Sequence, residues 1–178
     1  ALYQKACDGG DLKGCTRLGY MVERGKGGWE ADQTAAVALY KRACDGGQQL
    51  GCVHLAEAHR RGKGGLTRDA VRAAELLTAS CDGGEMAACA ELAWMVDNGQ
   101  GGLDRDEKRS YQLNKRACEG NALAGCSQLG EMYLRGAAGL TKDVDEGRKL
   151  IERACKGGEP DGCVALGRLQ AESGDMLG

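Results

Sequence analysis

Apolar residues recur along the chain at helical spacing, in short amphipathic blocks separated by glycine-rich breaks. One kind of block follows an aspartate, at Asp32, Asp69, Asp106 and Asp143. Its inward stripe reads Ala36-Leu39-Tyr40-Ala43, Ala73-Leu76-Leu77-Ser80, Ser110-Leu113-Asn114-Ala117 and Gly147-Leu150-Ile151-Ala154. These offsets are i, i+3, i+4 and i+7, one face of an α-helix. Each aspartate stands where an N-cap carboxylate accepts the orphan amides of a first turn. A second kind of block is expected to start near Cys15, Cys52, Cys89, Cys126 and Cys163, with Leu18, Leu55, Leu92, Leu129 and Leu166 at its core, each followed by Gly or Ala. It stops at Gly25-Lys26-Gly27-Gly28, Gly62-Lys63-Gly64-Gly65, Gly99-Gln100-Gly101-Gly102 and the looser Gly136-Ala137-Ala138-Gly139. The next hydrophobe, Trp29, Leu66, Leu103 or Leu140, is expected to plug the hairpin end.

The two blocks alternate with a fixed step, because Asp32, Asp69, Asp106 and Asp143 are each 37 residues apart. A repeat of this length marks stacked supersecondary units, each too small to bury its own core. The pattern predicts an all-α chain, a right-handed α/α solenoid of 37-residue helix hairpins forming one domain over 1–178. The hairpins fall at about 14–47, 51–84, 88–121 and 125–158, with half-repeats at 1–10 and 161–178. Ala1 already lies inside the pattern, so flanking segments are expected to have been removed or to be covered by another chain.

Composition adds limits. Phenylalanine is absent and there are only 2 Trp and 5 Tyr, so Leu, Ala, Val, Met and Cys must build the seam. A net charge of −2 with both signs interspersed leaves no electrostatic footprint for nucleic acid or anionic lipid. The apolar runs fall short of the roughly 20 residues that a membrane helix needs, so membrane insertion is not expected.

The cysteines follow the same step. Cys7 and Cys15, Cys44 and Cys52, Cys81 and Cys89, Cys118 and Cys126, and Cys155 and Cys163 are pairs eight residues apart, repeated every 37. On one unbroken helix such partners would stand about 12 Å apart along the axis, beyond the roughly 4.4–6.8 Å Cα separation of a disulfide. The intervening Asp-Gly-Gly or a near relative turns the chain back, which favours a disulfide within each pair and an oxidising compartment. Reduced thiols buried as small hydrophobes in a cytosolic solenoid are the alternative. Zinc fits poorly, because structural sites use closer ligand spacing and His54 and His59, the only histidines, do not share a helix face.

No catalytic constellation stands out. None of Ser80, Ser110, Ser127 or Ser173 has a lysine three residues later, as an acylating Ser-x-x-Lys site requires. Phosphate-loop, dinucleotide and zinc-protease motifs are missing. Asp104 with Asp106, and Asp143 with Asp145, look like acid/base pairs, but Asp106 and Asp143 belong to the capping column. No catalytic residue, metal or cofactor is expected.

The run Cys15-x-x-Leu18-Gly19, then Gly25-x-Gly27, Asp32 and Ala36 resembles the Sel1-like repeat, a relative of the tetratricopeptide repeat, over nearly the whole chain. The tyrosine of that family pattern survives only as Tyr133, with Val22, His59 and Val96 in the other copies. Two alanines that such repeats place at helix contacts are here cysteines. In this the chain is similar to the cysteine-rich Sel1-like proteins first associated with Helicobacter. That resemblance implies helix-linking disulfides, a secreted or periplasmic location, host interaction, and a peptidoglycan- or beta-lactam-binding alternative with weak hydrolase activity.

Repeat solenoids bind through exposed helix columns that vary while core columns stay fixed. One such column holds Tyr20, Glu57, Trp94, Glu131 and Arg168, and its charges predict that it faces water. Adjacent columns hold Glu23, Arg60, Asp97 and Leu134, and Thr16, Val53, Ala90 and Ser127. Together they predict a concave groove for a protein or peptide segment, with Trp94 as anchor and Arg60 and Arg168 as charged contacts, the alternative being that Trp94 only caps a local packing gap. The resulting expectation is a non-catalytic, exported, disulfide-stapled interaction scaffold.

Overall fold

A computed structural model describes residues 2–174, so Ala1 and residues 175–178 of the expected half-repeats lie outside the described residues. Among the described residues every regular element is helical. These are α1 (Leu2–Asp8), α2 (Leu12–Glu23), α3 (Gln33–Asp45), α4 (Gln49–Arg61), α5 (Ala70–Asp82), α6 (Met86–Asp97), α7 (Glu107–Glu119), α8 (Leu123–Arg135), α9 (Val144–Lys156) and α10 (Pro160–Ser173), with a 3-10 turn at Ala137–Gly139. The chain forms two compact units, one of Ala1–Ala88 with Gln100–Gly102 and the other of Cys89–Gly99 with Leu103–Gly178. In the first unit α1 to α5 pack in sequence, and α2 also meets α4. In the second, α7 to α10 pack in sequence, and α8 also meets α10.

The aspartate column caps these helices. Oδ1 of Asp32, Asp69, Asp106 and Asp143 accepts the amides of Ala35, Arg72, Arg109 and Glu146 at 2.9, 2.8, 2.9 and 2.9 Å. Asp69→Ala orphans one such amide and is expected to cost about 1 kcal/mol, read as a lower denaturation midpoint at unchanged slope.

The other helix of each hairpin begins three residues ahead of its cysteine, at Leu12, Gln49, Met86, Leu123 and Pro160, rather than at the cysteine. Close approach to the preceding helix explains this register. A Cβ on Gly14, Gly51, Gly125 or Gly162 would come within 2.7, 2.7, 2.5 or 2.7 Å of the Cβ of Ala6, Ala43, Ala117 or Ala154. Cysteines one position beyond each contact are thereby brought together. Cys7–Cys15, Cys44–Cys52 and Cys118–Cys126 are disulfides with Cα atoms 4.5 Å apart, and Cys155–Cys163 one with 4.4 Å. Cys81 and Cys89 are disulfide-bonded as well, giving one disulfide per repeat and no free thiol among the described residues.

Arginines add a second tie between repeats. The Arg42 guanidinium donates to the Cys7 carbonyl at 2.9 Å, and that of Arg153 to the Cys118 carbonyl at 3.3 Å and to Asn121 Oδ1 at 2.6 Å. Each places a cation on the orphan carbonyls at a helix C-terminus, where the dipole favours it.

In the aspartate-capped helices the stripe positions Tyr40, Leu77, Asn114 and Ile151 are buried, at 2, 2, 2 and 0% exposure. Three of the preceding leucines, Leu39, Leu113 and Leu150, are only half-buried. Trp29 does not plug its hairpin end. It is 38% exposed and rims a cavity of about 720 Å³ together with Leu18, Val22 and Leu39.

The looser fourth loop holds strain. Ala138 has φ 60°, where Gly27, Gly64 and Gly101 take 69°, 58° and 68°. Ala138→Gly is expected to raise stability by about 0.5–1 kcal/mol, visible in thermal unfolding, because glycine enters this region without the Cβ penalty.

Candidate functional site

The expected contact column divides between the units. In the first, Tyr20 is half-buried, with the Arg24 and Lys26 cations 5.5 and 5.4 Å from its ring centroid and the His54 ring at 6.4 Å. Glu57 accepts from Arg60 at 2.5 Å and also pairs with Arg61. In the second, Glu131 accepts from Arg168 at 2.5 Å, so two expected partner contacts bind one another. Trp94 is half-buried rather than standing free in water, and Thr16, Val53, Ala90 and Ser127 are buried outright. Thr16, for example, donates to Gln48 Oε1 at 2.8 Å, beneath the start of α4.

Trp94 lies at a cavity of about 220 Å³ within the second unit, which α6, α7 and α8 line with Asp97, Asn114, Gln128, Glu131 and Arg135 among others. Asn114 occupies a position that is Tyr40, Leu77 and Ile151 in the other copies, so an amide stands in an apolar column. Its Nδ2 makes only long contacts, 3.5 Å to Ser110 Oγ and 3.7 Å to Met132 Sδ. Its Oδ1 is buried with no hydrogen-bond partner, and so is Oδ1 of Asp97. The other Asp97 oxygen accepts from Arg135 at 3.3 Å. An unsatisfied buried acceptor costs about 1–3 kcal/mol, so this cavity is a place where the fold gives up stability. A neighbouring cavity of about 270 Å³ shares Glu131 and Arg135 and extends to Arg168 and Leu169.

The equivalent region of the first unit is filled and satisfied. Tyr40 and His54 rings stack at 4.6 Å, the Tyr40 hydroxyl donates to Glu23 at 3.0 Å, and Lys63 donates to the same carboxylate at 2.8 Å. Only about 20 Å³ of space remains there. Burial, then the Glu23 charge, pushes the Tyr40 phenol up, so it stays a donor. Burial raises Glu23, yet hydrogen bonds from Lys63 and Tyr40 and the Lys63 charge hold its carboxyl below the ordinary 4.5. Burial holds His54 below its ordinary 6.5, with Arg17 and Lys63 acting the same way and Glu23 and Glu57 opposing.

Both depressed groups bind protons less readily folded than unfolded, so both destabilise the fold as pH falls. The His54 contribution is complete above about pH 6.5 and is lost below it, and that of Glu23 is lost below about pH 4.5. The urea midpoint should therefore drop between about pH 7 and 5, and His54→Phe, which keeps a stacked ring, should flatten that segment.

Among the described residues, no group of three His, Cys, Asp or Glu side chains could hold a metal ion. Ser80, Ser110 and Ser127 are buried, and Ser110 lines the cavity beside Trp94. No described helix is long and apolar enough to cross a membrane.

The Sel1 repeat family profile matches residues 1–11, 12–48, 49–85, 87–121 and 123–159. The chain belongs to the Sel1 repeat family. A protective antigen of uropathogenic Escherichia coli with an SLR fold is similar at a TM-score of 0.70 and 26% identity, over 96% of this chain and 36% of that one. A Sel1 repeat protein of Oxalobacter formigenes shares the fold at 0.74 and 23% identity, over 91% and 64%. Cysteine-rich protein B of Helicobacter pylori aligns at 0.56 and 25% identity, over 76% of this chain and 96% of that one. This Sel1 chain thus spans 36% and 64% of the length of the first two. No curated protein matches it. Sel1 repeat proteins generally bind proteins, and five disulfides point to an oxidising, extracytoplasmic location.

The cavity residue that column reading missed is Asn114. Its signal was present as the one amide in a column otherwise Tyr, Leu and Ile. The Arg42 and Arg153 ties carry a signal too, since both fall in one 37-residue column with Arg116, broken among the aspartate-capped helices only by Ala79.

Proposed function

We propose that this Sel1 repeat protein is a non-catalytic scaffold that recognises polypeptide segments in a secreted or periplasmic setting. The observation that carries the reading is the cavity beside Trp94, where two buried acceptors stand without donors. The position of Asn114 is Tyr40, Leu77 or Ile151 in the other copies, so a buried amide beside this cavity sets the second unit apart. An extended peptide supplies backbone N–H donors, and a half-buried tryptophan supplies the area typical of an interaction hot spot. Glu131 lines the same cavity as the anchor, and Arg168, paired with it, lines the neighbouring one. Tyr20, Glu57 and Arg60 form a secondary contact patch in the first, each already ordered by a neighbour. The disulfides support the location and hold the helices in register, leaving recognition to the side chains between them.

Selection of a displayed random-peptide library on the oxidised protein, with Trp94→Ala as the counter-selection, tests the reading. Enrichment of sequences that the variant does not retain is the expected result. Sequences retained equally by the folded variant would move recognition away from Trp94.

A further inference from the structure

We infer that α2 and the loop that follows it carry a docking surface for an acidic polypeptide segment, with Arg17, Arg24 and Lys26 as its cations. The inference rests on the peptide-recognition reading for the polypeptide nature of the partner, while the charge selection comes from the surface itself. The whole chain has a net charge of −2. Residues 12–26 and 49–63, which hold α2, α4 and the starts of the loops after them, nevertheless carry seven Lys or Arg against two acidic residues, Glu23 and Glu57. The matching stretches around α8 and α10, 123–137 and 160–174, carry two against three. Positive charge is thus gathered on two helices of the first unit that touch each other, an arrangement that steers and holds an anionic partner.

Both acids on these helices are taken up internally. Glu57 pairs with Arg60 and Arg61, and Glu23 accepts from Lys63 at 2.8 Å and from Tyr40 at 3.0 Å. Arg61 and Lys63 stand 37 residues after Arg24 and Lys26, so they are the same two positions one repeat on. There each cation has a carboxylate of this chain, and Glu57 stands where the first copy has Tyr20. The first copy keeps the cations and loses that carboxylate. Arg24 and Lys26 gather instead on the Tyr20 ring, at 5.5 and 5.4 Å from its centroid, so they stand at most about 11 Å apart, close to one screening length. Among the described residues no carboxylate pairs with Arg17, Arg24 or Lys26, and all three are exposed. Arg17, Tyr20 and Arg24 share one face of α2 at i, i+3 and i+7. The Tyr20 hydroxyl likewise has no partner among the described residues, and unlike the orphaned oxygens of Asp97 and Asn114 it is not sealed from solvent.

Three cations and a phenol that can donate therefore face water on one helix, with no acceptor of their own. A carboxylate supplies acceptors only, so it matches this set and relieves the repulsion between the cations. An extended segment places side chains of one face about 7 Å apart, inside the span between Arg24 and Lys26, which favours acidic residues at alternate positions. A basic segment meets the same charges as repulsion.

The test uses two acetyl- and amide-capped pentapeptides, Ala-Glu-Ala-Glu-Ala and its glutamine counterpart, titrated at low salt into the oxidised full chain and followed by NMR. The acidic peptide should shift the signals of Tyr20, Arg24 and Lys26, and the glutamine peptide should bind at least tenfold more weakly. Added salt should remove the difference, because exposed charges are screened. The double variant Arg24→Gln with Lys26→Gln, whose helical circular dichroism should match the parent, should bring the two peptides to within about twofold of each other. A single-stranded thymidine hexanucleotide serves as a second polyanion and should bind more weakly than the acidic peptide.

Equal affinity of the two peptides for the parent protein would overturn the acidic-segment assignment while leaving peptide recognition intact. So would shifts confined to the second unit, or an oligonucleotide that binds as tightly as the acidic peptide. If neither pentapeptide binds but library-selected peptides do, the acidic-segment assignment fails alone. If no peptide of either origin binds, both readings fail.

Discussion

Reduction of the disulfides is expected to unfold the chain at temperatures where the oxidised protein is fully folded. Each bond closes a loop of eight residues, as in Cys7–Cys15 and Cys118–Cys126, and constrains the unfolded chain by about 2–3 kcal/mol. Five such bonds sum to about 10–15 kcal/mol, as large as the whole net stability of an ordinary domain of about 5–15 kcal/mol. The remaining seam is not rich enough to compensate. It has no phenylalanine, it contains 30 glycines, and many of its contacts are alanine against glycine. Mass spectrometry should show a gain of ten hydrogens on reduction, and circular dichroism should show the cooperative helical melt lost or lowered by tens of degrees. A reduced chain that melts where the oxidised one does would contradict this assignment of stability.

The second large effect has the opposite sign. Asn114→Leu places in the third aspartate-capped helix the residue that the second carries as Leu77. It removes an amide oxygen buried without a partner, a defect worth about 1–3 kcal/mol, and adds apolar surface in a position that is 2% exposed. The variant is expected to gain about 1–2 kcal/mol, a rise of about 2–8 °C in melting temperature for a chain of this size. It should at the same time lose peptide binding at the Trp94 cavity. Gain of stability with loss of binding is what separates a functional residue from a packing error, since sites are often built at the expense of the fold. An Asn114→Leu protein that melts lower than the parent would show that the amide is part of the core's own network.

Most of the scaffold was legible before any coordinates. The 37-residue step, the aspartate caps and the turn between paired cysteines are all local consequences of residue type and spacing, and each appears in the helices at Asp32, Asp69, Asp106 and Asp143 and in the short disulfide loops. The candidate site was harder to read for two reasons. The cysteine-bearing helices press Gly14, Gly51 and Gly125 onto alanines of the preceding helices, and the column of Thr16 and Ser127, expected at the surface, is buried. Reading positions 37 apart as independent contacts also hid that Glu131 and Arg168 bind each other. Charges so paired are less available to a partner than unpaired ones. Asn114 was visible as an irregularity, but its meaning required the burial and orphaned oxygen that only three dimensions supply.

The central claim is that recognition resides in the cavity beside Trp94 and that the cysteines are structural. The most direct measurement is a calorimetric titration of one library-selected peptide into the parent protein and into Trp94→Ala, with a thermal melt of each sample alongside. Loss of a buried anchor aromatic typically costs about 2 kcal/mol or more, so affinity should fall at least thirtyfold while the variant remains folded. Unchanged affinity in a folded Trp94→Ala protein would contradict it.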